Sequence, residues 1–285
     1  MGRSRYAVTE KRIQQWVKEG RGQGAGPNYK AWLRVSDVPS IGMSHRVFCE
    51  ITKRMYHLLS YLEYAAFLMA RADSSVVEIR EGYPLERSRT REIAKRIRVA
   101  HPRYPGTKVD TVMTSDLLLT RRHPDGERYE GWSVKPLEKL DDGRVCEKLF
   151  IEGTYYDDAG RPFNIVSEDQ IPQLFLRNFE RMRAAWNLEK HPNWNPHQAR
   201  QFQATMLSFI PNQGDLPYEA FCRAFDRTYE FERGDAHYLF TNLMAHGIVT
   251  VDMNIPWSVE FPLTMFTLYP AAFERLVSEP PDEVL

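Results

Sequence analysis

The chain has 285 residues, 42% of them apolar and 12% aromatic, which is enough to bury a core and excludes a disordered chain. At about 150 residues per domain it should hold roughly two domains. Its 38 basic and 38 acidic residues cancel only in sum: residues 1–153 carry 28 against 20, a net of +8, and residues 154–285 carry 10 against 18, a net of −8.

Such a split suggests two surfaces with different partners. Mean hydropathy is −0.51, and no apolar run approaches the roughly 18 residues of a membrane helix, so no membrane contact is expected. The charged start MGRSRYAVTEKR has no apolar signal region. Cys49, Cys146 and Cys222 lack metal spacing and read as thiols of a reducing cytoplasm.

Thr9 caps a first helix with Ile13, Trp16 and Val17 on its stripe. EGRGQGAGP (19–27) has no Gly-Lys-Ser/Thr ending and reads as a flexible basic arm. Met55, Leu58, Leu59, Leu62, Ala66 and Met69 recur at helical spacing and predict four turns. A strand follows over 76–81, then an exposed basic excursion over 86–108. TVMTSDLLL (111–119) and YEGWSVK (129–135) read as strands joined at the HPDG turn (123–126). A helix over 145–157 and a strand at PFNIVS (162–167) complete a mixed α/β layer.

A boundary falls near 168–172, which gives units over 1–170 and 171–278 and a disordered tail over 279–285. Helical stripes recur near 172–187, 196–209, 217–228 and 234–246. A hairpin of IVTVDMNI and WSVEF then gives a winged-helix order. Trp186, Trp194 and Trp257 are expected as core anchors, and Asp141-Asp142 as a solvated turn. His45 and His57 are expected in the core or facing DNA, since neither has a second ligand at metal spacing.

Three residues carry the chemistry. Glu63 sits at the edge of a buried helical stripe, where a carboxylate needs a partner; a plain salt bridge is the commoner reason. Asp116 lies inside an apolar strand, where Asp is unfavourable unless a metal holds it or it faces water at a sheet edge. If the hairpin turns at Pro124-Asp125, paired numbers sum to 249, so Ser133 opposes Asp116 and Lys135 shares its face. An exposed cross-strand ion pair would explain Lys135 equally well. Helical Glu, strand Asp and hairpin Lys, in that order, form the PD-(D/E)xK pattern of a restriction-endonuclease-like core. In such a site carboxylates hold one or two Mg²⁺ ions, with Mn²⁺ as a substitute, and Lys stabilises phosphate charge. The usual acid or amide two residues before the Lys is Ser133 here, so a metal would rest on Glu63, Asp116 and the Val134 carbonyl. Arg21, Arg46, Lys53 and Arg54, from the basic first stretch, are the expected DNA-contacting residues.

EGRGQG (19–24), WLRVSDVPS (32–40), SHRVF (44–48), HLLSYLEYAAFL (57–68), SSVVEIREGYPL (74–85), TSDLLL (114–119), SVKP (133–136) and EKLFIE (147–152) occur in this order. Together they resemble the TnsA family over roughly residues 10–170. The resemblance implies an endonuclease that cuts the 5′ ends of a transposon. A TnsB-like DDE transposase would cut and join the 3′ ends, and a TnsC-like AAA+ ATPase would dock on a winged-helix-like C-terminal domain. It carries the catalytic roles onto Glu63, Asp116, Lys135 and Glu152, the last of which could equally pair with Lys148 at i,i+4. The −8 half lacks clustered cations in bulk and is expected to face protein. Two rival readings are a free-standing restriction or repair nuclease and an inactive adaptor, the latter favoured by Ser133.

Overall fold

A computed structural model describes residues 8–37, 43–49, 52, 54–73, 75–182, 185–188 and 194–278. The chain divides into two compact units, Met1–Ile171 and Pro172–Leu285. Lys53 and the tail 279–285 lie outside the described residues. No helix among the described residues is long and apolar enough to cross a membrane.

In the first unit, Thr9 Oγ1 accepts from Arg12 N and opens α1 (Glu10–Lys18), which buries Ile13 and Trp16. Val17 faces solvent. The glycine-rich stretch that follows is an ordered loop and not a flexible arm. Gly22 N donates to the Lys30 carbonyl at 2.6 Å, and Gly22 has φ +73°. A Cβ on Gly22 would lie 2.2 Å from Pro84 Cγ, so close approach demands glycine there. Arg21 points inward from this loop. Its guanidinium donates to Asp37 at 2.5 Å, Glu19 at 2.9 Å and the Trp32 carbonyl at 3.2 Å, and stacks on Trp16.

Two strands, β1 (His45–Cys49) and β2 (Arg54–Leu58), pair antiparallel. The expected four-turn helix therefore begins late. Arg54, Tyr56 and Leu58 point inward and Met55 outward, a period of two that a helical stripe imitates over so few residues. The helix α2 (Tyr61–Ala72) starts only after Ser60, whose hydroxyl accepts from Glu63 N at 3.0 Å. Arg54 is a core residue. It meets Glu81 at 2.7 Å, donates to the Ile79 carbonyl at 2.7 Å and lies over Tyr56.

A four-stranded sheet follows in the order β3 (Val76–Pro84), β4 (Thr114–His123), β5 (Gly126–Val134), β6 (Phe163–Val166). The first three strands are antiparallel and β6 runs parallel to β5. The β4–β5 ladder runs from Leu117 with Trp132 to His123 with Gly126, each pair summing to 249 as the turn implied. The expected basic excursion contains a helix, α3 (Arg87–Arg96). Its many charges face out, while Ile93 and Ala94 pack with Leu118, Ile151 and Tyr156. The crossover from β5 to β6 is α4 (Gly143–Asp157), capped by Asp142, which is thus more than a solvated turn residue.

The second unit holds α5 (Gln173–Met182), α6 (Pro196–Phe209), α7 (Tyr218–Thr228) and α8 (Asp235–Ala245). Asp226 accepts from Gly234 N and Ala236 N and so fixes the turn between α7 and α8. The expected hairpin partner WSVEF is not a strand. Instead β7 (Val249–Thr250) pairs with β8 (Thr267–Leu268), and α9 (Pro270–Ser278) follows, unforeseen from the sequence. Trp186 is buried beside Phe179, Trp194 lies against Phe202 and Phe231, and Trp257 packs edge-on to Tyr218.

The buried Arg54–Glu81 pair separates a structural role from a DNA-binding one. Arg54→Ala strands a carboxylate that is 1% exposed, at a cost of about 3–5 kcal/mol. Calorimetry should show the melting transition of the first unit falling by about 10 °C. Unaltered melting together with weakened DNA binding would restore the DNA-contacting role.

Candidate active site

The hairpin register brings Asp116 and Lys135 together. Asp116 Oδ2 accepts from Lys135 Nζ at 2.6 Å, Val134 N at 2.6 Å and, more distantly, Ser133 Oγ at 3.4 Å. Lys135 Nζ also donates to the Val134 carbonyl at 3.0 Å. The ammonium thus sits between two of the three expected metal ligands. Burial works against the charged lysine, yet the surrounding carboxylates, Asp116 foremost, raise its pKa above the ordinary value.

Glu63 belongs to the same electrostatic cluster. The first turn of α2 positions it: Leu59 N donates to Oε2 at 2.8 Å and Ser60 Oγ to Oε1 at 3.2 Å. Ser60 caps the helix, and Glu63 reaches back to the residue before the cap, an arrangement whose Ser60-x-x-Glu63 spacing was visible in the sequence but overlooked there. Burial first, and the Asp116 charge second, push Glu63 up to about 7.

Glu152 joins from α4. Tyr156, one turn on, sets the height of this helix. Its hydroxyl meets Ser115 Oγ at 2.8 Å, and its ring lies where a Cβ on Gly131 would come within 2.3 Å. Glu152 is 4% exposed, and its Oε1 has no hydrogen-bond partner among the described residues. Burial and the Asp116 charge push it up to about 8, against the opposing influence of Lys135 and of the Ser115 and Ser133 hydroxyls. It makes no ion pair with Lys148 among the described residues.

Asp116, Lys135 and Glu152 line one cavity of about 470 Å³. Arg103, Arg144 and Lys148 line it too; none of them was expected to contact DNA, Lys148 having been weighed only as a partner of Glu152, although 144, 148 and 152 are spaced by helical turns. Among the expected DNA contacts, Arg46 is exposed on β1 opposite His57. Arg21 and Arg54 are each 7% exposed and taken up by ion pairs, so they are not available to phosphate. His45 stacks on Tyr64 and is a packing residue.

Among the described residues no three His, Cys, Asp or Glu side chains converge as a ready metal cage. The donors are nonetheless of the kind a hard divalent cation takes: carboxylates, a main-chain carbonyl and an orphaned buried carboxylate oxygen. Carboxylates crowded enough to hold their protons near neutrality are short of positive charge.

A mixed sheet with flanking helices, bearing carboxylates and a lysine in one cavity, defines an α/β nuclease-like protein. Family descriptions match both halves: "TnsA-like endonuclease N terminal" over residues 73–168 and "TnsA endonuclease C terminal" over residues 170–253. The chain is also 34% identical over 249 residues to "Transposon Tn7 transposition protein TnsA" of Escherichia coli, which covers 87% of this chain and 88% of that protein. The chain belongs to the TnsA family of endonucleases.

The raised carboxylates give a signed pH dependence. Glu63 and Glu152 hold protons in the fold that the unfolded chain releases near pH 4.5. Their stabilising contribution is complete below that value and is lost as pH rises through about 7 and about 8. With chelator present, the melting temperature should fall over this window, and Glu152→Gln should flatten the fall. Parallel curves for the two proteins would show that Glu152 does not titrate there.

Proposed function

We propose that this protein is a Mg²⁺-dependent endonuclease that cuts the non-transferred strands at the 5′ ends of a transposon. The convergence of Asp116, Lys135 and Glu152 on one cavity, with the Glu63 charge acting on Asp116 and Lys135, carries this reading. Asp116, Glu63 and the Val134 carbonyl would hold the metal, with Glu152 in place of the acid missing at Ser133. Ser133 and Ser115 are small and buried, which leaves room for the Glu152 carboxylate against the sheet. Bound Mg²⁺ would neutralise phosphate charge and lower the pKa of an attacking water.

The side chains of this protein supply the rest. The Lys135 ammonium, held against Asp116, would donate to the scissile phosphate and stabilise charge developing there. The Ser60 and Leu59 donors hold Glu63 in place. Crowding of carboxylates also means that cation binding must displace protons, so activity should climb from pH 6 to about 8.

The partners are a TnsB-like DDE transposase and a TnsC-like AAA+ ATPase, the latter docking on the C-terminal unit. What supports docking over duplex reading is the packing of α8, the counterpart of a recognition helix in a winged-helix-like domain. Nine of its eleven residues, Asp235 and Ala236 and Leu239 through Ala245, are buried. Asn242 and Gln203 fasten it to its neighbours through the Ala185 and Leu239 carbonyls. So enclosed a helix has little side chain left for a major groove.

Asp116→Ala and Lys135→Ala should each reduce 5′-strand cleavage by about 10³-fold or more in a reaction with both partners and Mg²⁺. Complex assembly and 3′-strand joining should persist, leaving products still attached at one strand. Full 5′ cleavage by Asp116→Ala would remove this active site from the protein.

A further inference from the structure

The cavity presents a physical problem. Asp116 and Glu152 line it where a polyanion must approach, and Lys135 is taken up by Asp116. Some other positive charge has to draw the substrate strand in.

α4 supplies it. Arg144, Lys148 and Glu152 follow at intervals of four residues, about 6 Å of helix per step, and so share one side of α4. All three line the cavity. Polarity reverses along this stripe, since Glu152 is buried against the sheet while Lys148 is exposed. A second segment, Pro102–Pro105, adds Arg103, whose side chain is 64% exposed. That segment is held by Thr111 N to the Pro102 carbonyl at 2.8 Å and Tyr104 N to the Val109 carbonyl at 3.0 Å.

The ion pairs of these cations are weak or missing. Arg103 reaches Asp110 only at 3.5 Å, and Arg144 meets Glu147 in an exposed pair one turn away. Exposed pairs contribute little, and an arginine exchanges such a carboxylate readily for a phosphate. Lys148 has no acidic partner among the described residues. Elsewhere in this unit Arg21 and Arg54 are held in buried ion pairs that water and phosphate do not reach.

We propose that Lys148, Arg144 and Arg103 form a phosphate-gripping rim that binds the DNA backbone beside the scissile phosphate and positions the strand over Asp116 and Lys135. The rim rests on the nuclease reading above. It positions substrate and takes no part in bond making.

The test is binding of full-length protein to a fluorescent transposon-end duplex across about 50–200 mM salt, with chelator present so that nothing is cut. Removing a phosphate contact shortens the slope of log affinity on log salt by about 1. The double variant Arg144→Ala/Lys148→Ala should shorten it by about 2 and raise KM for DNA in the partner-containing reaction about tenfold, with the loss falling on KM rather than kcat. Lys148→Arg should restore the slope of Lys148→Ala. An unchanged slope and KM in the double variant would overturn the rim, as would a loss confined to kcat. If the wild-type protein cuts no DNA under any condition, the nuclease reading fails instead, and the salt slopes still report on the rim independently.

Discussion

One ammonium facing three carboxylates is the interaction around which the first unit is organised. Lys135 touches Asp116 directly, and the charges of Glu152 and Glu63 add to its hold. Such crowding is unfavourable unless each carboxylate is fixed, and each is fixed by a different element. The hairpin supplies Val134 N to Asp116, the cap of α2 supplies two donors to Glu63, and α4 brings Glu152 down on the sheet. Gly131 belongs to this set as well, because a side chain there would lift Tyr156 and the turn of α4 that bears Glu152. The cluster is stable only with a proton or a cation in it.

The strand part of the site was legible because its geometry is local. A two-residue turn at Pro124-Asp125 fixes register, and a period of two then decides which residues share the Asp116 face. Glu63 was found on a helix, but the start of that helix was misplaced, since Leu58 and Leu59 satisfy both periodicities where a strand runs into a helix. Glu152 was harder. Its role depends on how α4 docks, and that is settled by Tyr156, Ser115 and Gly131, which are distant in sequence and carry no chemical motif. The same holds for α3, whose charges outnumber its two core residues and hide them.

The C-terminal unit shows how little helix order says about use. Three helices, α6 to α8, precede a short strand pair, but α8 is fastened through Asn242 to the Ala185 and Trp186 carbonyls and through Tyr238 to the Asn187 carbonyl. A helix buried on most of its circumference serves packing, whatever its place in the order. The two-residue strands β7 and β8 are equally a matter of tertiary context, since nothing in Thr267–Leu268 distinguishes it from the apolar residues around it.

The charge split between the halves measures composition, and the fold decides what reaches the surface. In the basic half several arginines are taken up by acids: Arg21 by Asp37 and Arg54 by Glu81 in buried pairs, Arg87 by Glu10 and Arg121 by Asp73 and Glu130 nearer the surface. The glycine-rich stretch looked like a basic arm because its arginine could be counted but its burial could not. Cations left over after this pairing matter more than their total. Three of them, Arg144 and Lys148 on α4 and Arg103 in the Pro102–Pro105 loop, stand beside the cavity that also holds Asp116 and Glu152. Opposite charges placed so near to one another without neutralising each other are what a site needs in order to accept both a metal and a phosphate.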